Sequence, residues 1–234
     1  MSNRPATRRD YFTLGHYAYD ELRRAIVSLR LEPGQWISES ELTEMLGMSR
    51  TPIREAIHAL QSEDLIEVMP QRGMKIALIS VKKVREARVV REVLEIEAVR
   101  EGIRVLKEDP RLWTETAQRA LSCLAEQETA FAQGDIEGFL AADEAFHRAI
   151  TWPGGNETLN AVVKQMRAHL NRIRLLSMRE RHNLDELIDE HRRLVSSMEL
   201  HDVTQAVETM KHHVRRLLED IPVVQERFPH YFSL

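Results

Sequence analysis

The sequence predicts a mainly α protein: a small N-terminal helix-turn-helix unit closed by a β-hairpin, then an antiparallel bundle of six helices. Three observations carry this prediction. Apolar residues recur at helical spacing along most of the chain. β-type runs are confined to the stretch between Leu65 and Ile79. The breaks between the periodic segments after Ser80 are short, as antiparallel helical neighbours require.

The elements follow in order. The first dozen residues read as a loose arm carrying Arg4, Arg8 and Arg9. From about Phe12 to Leu29, the residues Leu14, Ala18, Leu22, Ile26 and Leu29 mark the apolar face of a first helix. Leu31-Glu-Pro-Gly34 breaks it, and Trp36-Ile37 reads as a short extended segment. Ser38 with Glu41 forms a capping box for the second helix, whose inner face is Leu42, Met45 and Leu46 and whose end is Gly47. Ser49 or Thr51 caps the third helix, where Pro52 falls at a position whose amide needs no partner. Ile53, Ala56, Ile57 and Leu60 face inward. Leu65 to Met69 and Lys75 to Ile79 are strand-like, joined by a turn at Pro70-Gln-Arg-Gly73. Beyond Ser80, breaks at Asp109-Pro110, Gly134-Asp135, Pro153-Gly-Gly155, Asn183 and His201-Asp202 leave helices near 82–107, 111–132, 136–151, 156–180, 184–199 and 203–220. The domains are therefore expected at 1–79 and 80–222, with an irregular tail over 223–234.

Composition bounds the function. A chain of 234 residues suits two domains, and 43% hydrophobic with 30% charged residues is an ordinary globular balance. No apolar run reaches the length of a membrane span, and the N-terminus lacks the apolar core of a secretory signal. The single cysteine, Cys123, excludes an intrachain disulfide framework and fits a reducing cytoplasm. The net charge is −4, and residues 1–80 carry 10 Lys/Arg against 11 Asp/Glu. DNA contact would therefore rest on locally clustered cations rather than on a basic domain.

Such a cluster exists. In a helix-turn-helix the second helix of the motif enters the major groove with its N-terminal residues toward the bases. Here that helix opens with Arg50, Thr51 and, one turn on, Arg54. Arginine suits bidentate contact to guanine O6 and N7. Ser49 and Thr51 suit phosphates. Arg72, at the hairpin tip beside Gly73, suits the minor groove or its rim. Glu55, next to Arg54, offers a pairing partner within the helix.

The pattern LxPGxxIxExxL…GxSRTPIREAIxxLxxxxLIxxxPxRG, from Leu31 to Gly73, resembles the winged helix-turn-helix of GntR-family bacterial transcription regulators. The resemblance implies base contacts from Arg50 and Arg54, and a wing at Arg72 and Gly73 against the minor groove. The chain departs from some members at Ser40, where they carry a basic residue.

A second constellation lies in the bundle. The stripe of the helix from Ile136 is Ile136, Phe139, Leu140, Phe146 and Ile150, and Asp143 and His147 fall in it at i and i+4. His191 sits amid Leu184, Leu187, Ile188, Leu194, Val195 and Met198. His213 shares a face with Met210, Val214 and Leu217, whereas His212 points away. A buried carboxylate costs several kcal/mol unless it is paired. A divalent cation would resolve all four burial problems together, and this donor set suits Zn foremost, or Ni, Mn or Fe. His169, near Met166 and Ile173, reads as a core or pocket residue.

The run DEAFHRAI, then GGN, EHRRLV and the last histidine, is similar to the FCD effector domain of the FadR subfamily. The similarity implies metal ligation by Asp143, His147, His191 and His213, and six helices imply the shorter, VanR-like branch. It also implies an arginine and a glutamate near the ligand, which fall on Arg91 and Glu95. The plain reading of that pair is an exposed i,i+4 ion pair.

These readings together describe a homodimeric, ligand-responsive repressor on a near-palindromic operator. A small carboxylate effector would be neutralised by Arg91 or Arg172. Two alternatives have a different character. One is a metal-dependent enzyme, although no general base or nucleophile is evident beside the site. The other is a regulator whose metal is purely structural and which takes no small-molecule effector.

Overall fold

The computed structural model of the chain describes residues 8–70, 72–180 and 184–233. They form two compact units: one reaches Ser80 and takes in the segment from Phe228, and the other is Val81–Arg227.

In the first unit, α1 (Arg8–Val27) packs on α3 (Arg50–Ser62), with α2 (Glu39–Leu46) between them in sequence. Leu22, Ile26, Leu42, Ile53, Leu60, Leu65 and Ile76 are its buried core. The Ser38–Glu41 capping box is present, and Gly47, at φ +63°, closes α2 in the left-handed conformation that glycine adopts without strain. Met45, expected on the inner face, is instead exposed, because this short helix buries only the row of Leu42. Strands β1 (Trp36–Ile37), β2 (Ile66–Met69) and β3 (Gly73–Ile76) make an antiparallel sheet in the order β1-β3-β2. The hairpin register pairs Met69 with Gly73 and Val68 with Met74, so Met74 and Ile76 point inward while Lys75 faces out. Gly73 takes φ +95° at the turn exit. Gln71, within the expected turn, lies outside the described residues.

The tail expected to be irregular over 223–234 is corrected by the structure. Helix continues to Arg227, a 3-10 turn covers Pro229–Tyr231, and Phe232 forms a parallel bridge with Ile79. The Ile79 amide donates to the Tyr231 carbonyl at 2.8 Å, and the Ser233 amide donates to the Ile79 carbonyl at 3.1 Å.

The second unit comprises α4 (Val81–Glu108), α5 (Arg111–Gln133), α6 (Ile136–Thr151), α7 (Glu157–Glu180), α8 (Leu184–Glu199), α9 (Val203–Arg215) and α10 (Leu217–Arg227). Helix α4 packs on α6, α7 and α9; α5 packs on α6 and α8; α10 packs on α7. The single helix expected near 203–220 is therefore two. The ladder is interrupted at Arg216, whose carbonyl takes the Glu219 amide at 3.0 Å in a tighter turn. Pro222 is tolerated inside α10 because Leu218, whose carbonyl loses a donor, lies on the exposed side, where water can replace it. The expected break at Asn183 falls outside the described residues. Among the described residues, no helix is long and apolar enough to cross a membrane.

Candidate metal centre and nucleic-acid interface

The interior of the second unit is unusually ionic. Asp143 and His147 from α6, His191 from α8 and His213 from α9 are all buried, and one ligand atom from each lies within 4.8 Å of all the others. The four expected positions thus converge from three helices.

What surrounds the rings decides how they present themselves. His213 Nδ1 donates to Glu190 Oε2 at 2.8 Å, and His191 Nδ1 donates to Gln127 Oε1 at 2.8 Å. His147 Nδ1 lies 2.7 Å from Glu95 Oε2, at an angle too bent for a straight hydrogen bond. With a proton held at Nδ1 of His191 and of His213, the Nε2 atoms of these two rings turn lone pairs to the centre. His147 Nε2 and His213 Nε2 are 3.1 Å apart. His191 Nε2 is buried without a hydrogen-bond partner, 3.6 Å from Asp143 Oδ1. The spacing of the His147 and His213 nitrogens and the orphaned Nε2 of His191 suit a cation between them, since two nitrogens about 2.1 Å from one ion stand about 3 Å apart or slightly more.

Protonation states agree with this. Burial pushes His147 down to about 3, with Glu95 opposing and the Arg167 and Arg91 charges reinforcing it. Burial also holds His191 well below the usual imidazole value and lowers His213. All three are neutral near pH 7, which is the ligating form. Burial works against the charge on Asp143, but the Arg174 fork, at 2.6 and 2.8 Å, holds it well below the ordinary carboxylate range. Three neutral imidazoles and one carboxylate form a donor set for a divalent transition metal.

Arg91 and Glu95 are not an exposed pair. Arg91 is 3% and Glu95 1% exposed, their bond is 2.8 Å, and Arg91 Nη2 reaches His147 Nε2 at 3.0 Å. A cavity of about 50 Å³ beside the cluster is lined by Arg91, Arg174, His213 and Arg216, with Leu184 and Leu187. A smaller one, of about 30 Å³, meets Glu95, His147 and Arg167.

His169 and Arg172 are not brought to the cluster. Both are buried, but they lie on the far side of α7 from Arg167 and Arg174 and line neither cavity. Arg167, Arg174, Gln127 and Glu190 are the polar partners that sequence reasoning missed. A signal existed for three of them. Arg167 and Arg174 are seven apart and therefore share a face of α7, and Gln127 continues the small, apolar row of Ala120 and Leu124 on α5.

In the first unit, α3 presents the expected cations. Arg50 and Arg54 are 72% and 60% exposed, and Ser49, Thr51, Arg72 and Gly73 are exposed beside them or at the hairpin tip. Ser49 stands at the N-cap without its hydroxyl bonding an α3 amide. Arg54 does not pair with Glu55. Its Nε donates to Glu39 on α2 at 2.8 Å, and Arg50 Nε lies 3.7 Å from the same carboxylate. Arg4 lies outside the described residues, as does the side chain of Arg9.

A helix-turn-helix with an antiparallel wing, joined to a helical bundle holding an Asp/His cluster, defines a class of DNA-binding regulators. The model for bacterial regulatory proteins of the gntR family matches residues 14–76, and that for the FCD domain matches residues 86–216. The chain belongs to this family, and it is a DNA-binding transcription regulator rather than an enzyme. It is similar to an uncharacterized HTH-type regulator in an unstable DNA locus of Streptomyces ambofaciens, 29% identical over 92% of this chain and 88% of that protein. It is also similar to the HTH-type transcriptional repressor RspR of Escherichia coli K12, 25% identical over 92% of each chain. The solved structure of E. coli McbR/YncC shares the fold, with a TM-score of 0.77 and 21% identity over 92% of this chain and 98% of that one.

Proposed function

We propose that this protein is a cytoplasmic, homodimeric repressor whose hold on a near-palindromic operator is set by a small organic acid bound beside a divalent metal, zinc foremost. The single observation that supports the metal most strongly is the convergence of three buried imidazoles on Asp143, with Nδ1 of His191 and of His213 held by Gln127 and Glu190. Asp143, His147, His191 and His213 would hold the ion. When bound, it supplies a positive charge able to take a carboxylate oxygen.

The side chains define the rest of the ligand. Arg91, Arg174 and Arg216 outnumber Asp220 among the charged groups lining the cavity beside His213, although each of the three already pairs with a carboxylate, while Leu184 and Leu187 give it an apolar wall. That combination suits a short acid with a small carbon body. Glu95 keeps Arg91 and Arg167 in place, at 2.8 Å each.

On the DNA side, Arg50 and Arg54 would read bases, with Ser49 and Thr51 on phosphates. Arg72 and Gly73 would follow the minor groove, and Arg9 would add a contact from the N-terminal arm. A two-fold pair of readers calls for two half-sites. The repressor name of the E. coli relative supports the sign of regulation. By linkage, the acid weakens operator binding only as far as it prefers the DNA-free form.

The test is a thermal-shift screen of zinc-loaded protein against small mono- and dicarboxylic acids, run beside His191→Ala, with metal content measured. Acids that raise the melting temperature of the wild type but not of the variant support the reading. Wild-type protein that retains no metal, or hits that persist in His191→Ala, would overturn it.

A further inference from the structure

Helix α3 begins with a problem that its sequence does not solve. Arg50 and Arg54 stand at i and i+4, so their like charges meet on one face, and both lie close to the positive end of the helix dipole. The acid that relieves them comes from another helix. Glu39, in the first turn of α2, receives the Arg54 Nε–H on Oε2 at 2.8 Å and places Oε1 3.7 Å from Arg50 Nε. It is the more sheltered partner, with its side chain 27% exposed against 60% and 72% for the arginines.

The atoms it engages matter. In both arginines the nearest nitrogen is Nε, at the inner edge of the guanidinium. Bidentate recognition of guanine O6 and N7 needs a pair of N–H groups presented outward. A carboxylate at Nε fixes the plane of the guanidinium and leaves its outer end for a base. The same carboxylate repels phosphate, so it opposes the sequence-independent binding that two loose arginines would otherwise promote.

We infer that Glu39 is a positioning residue for DNA reading: it orients Arg50 and Arg54 toward guanine and lowers affinity for DNA of any other sequence. This rests on the reading of those two arginines as base contacts. Glu39 is not needed for the cap of α2, because Ser38 and Glu41 already close the capping box between them.

The experiment selects duplexes from a library randomised over 30 base pairs with the full-length wild type and with Glu39→Ala, Glu39→Gln, Arg50→Ala and Arg54→Ala. The selected consensus and a scrambled duplex of equal composition are then titrated with each protein across salt concentrations. The expected result for Glu39→Ala is weaker guanine preference and tighter binding to the scrambled duplex, lowering the specificity ratio by about tenfold, the scale of one good base contact. Glu39→Gln, which keeps the size but loses the charge, is expected to fall between. Melting curves confirm that each variant is folded, and a merely structural Glu39 would move those curves without moving base preference. If Arg50→Ala and Arg54→Ala lose the guanine preference while both Glu39 variants keep the wild-type ratio within twofold, Glu39 has no positioning role. If the two arginine variants keep the preference as well, the base-reading assignment itself fails and the inference falls with it.

Discussion

Glu190 accepts the Nδ1 hydrogen of His213 across 2.8 Å, and it is the residue directly before His191 in the chain. One turn of α8 therefore supplies one ring of the cluster and orients another. Burial opposes the charge on Glu190, but the hydrogen bond from His213 and the Arg216 guanidinium bring it down to about 2. Outer partners of metal-bound histidines typically contribute 10–100-fold to affinity. Glu190→Ala is accordingly expected to weaken zinc binding by about that factor while the helical content stays unchanged, as read by competition with a chromophoric chelator. An affinity within twofold of wild type would show that His213 needs no such partner.

Arg174 neutralises a carboxylate that is 0% exposed. Removing one partner of a buried pair typically costs about 3–5 kcal/mol because the other charge is left uncompensated. Arg174→Met should lose about that much stability in chelator, measured by urea unfolding, and recover part of it when zinc is added. Equal losses with and without zinc would argue against a cation beside Asp143.

Glu92 on α4 is gripped by Arg215 through bonds of 2.6 and 2.9 Å, with Arg88 also against it. The hydrogen bonds from Arg215 lower its carboxyl from the usual range. A carboxylate with a depressed folded value stabilises the protein above its unfolded value, and that contribution is lost as pH falls through the folded one. Glu92→Gln should therefore cost about 1 kcal/mol or less at pH 7, as partly exposed pairs do, and less still at pH 3. Melting temperatures of the two proteins that stay equally far apart at both pH values would contradict this.

Deletion of the chain after Arg227 would strip Ile79 of both its backbone partners and remove Phe232, which is 9% exposed. Two net hydrogen bonds and one buried aromatic side chain together predict a loss of about 2–5 kcal/mol in the first unit. Hydrogen exchange should show faster exchange at Ile79 and along β3, with α5 and α6 unaffected. Unchanged protection at Ile79 would refute this.

Periodicity and caps were enough to read most of the helices, because amphipathic faces and turn residues are local signals. The four cluster positions were equally legible, each being a polar residue in an otherwise apolar stripe. Their partners were less so. Glu190 precedes a cluster residue and would be assigned to another face by spacing alone, and Arg174 looks like any surface arginine until α7 is seen to be buried on all sides from Arg167 to Met178. His169 and Arg172 are buried on the same helix, His169 as its place beside Met166 and Ile173 implies, but spacing along one helix does not say which of its buried sides meets the cluster. Glu39 escaped notice because its partners lie on another helix, across a turn.

The bridge between Ile79 and Phe232 changes how the chain should be parsed. Residues on either side of Val81–Arg227 are backbone neighbours within one folded unit. The helical bundle is thus an insertion in the DNA-binding unit, entered and left at adjacent points, rather than a module appended to its end. A reader excised at Ser80 would lack part of its own fold. Exchange of helical bundles between relatives built in this way would have to preserve two junctions at once.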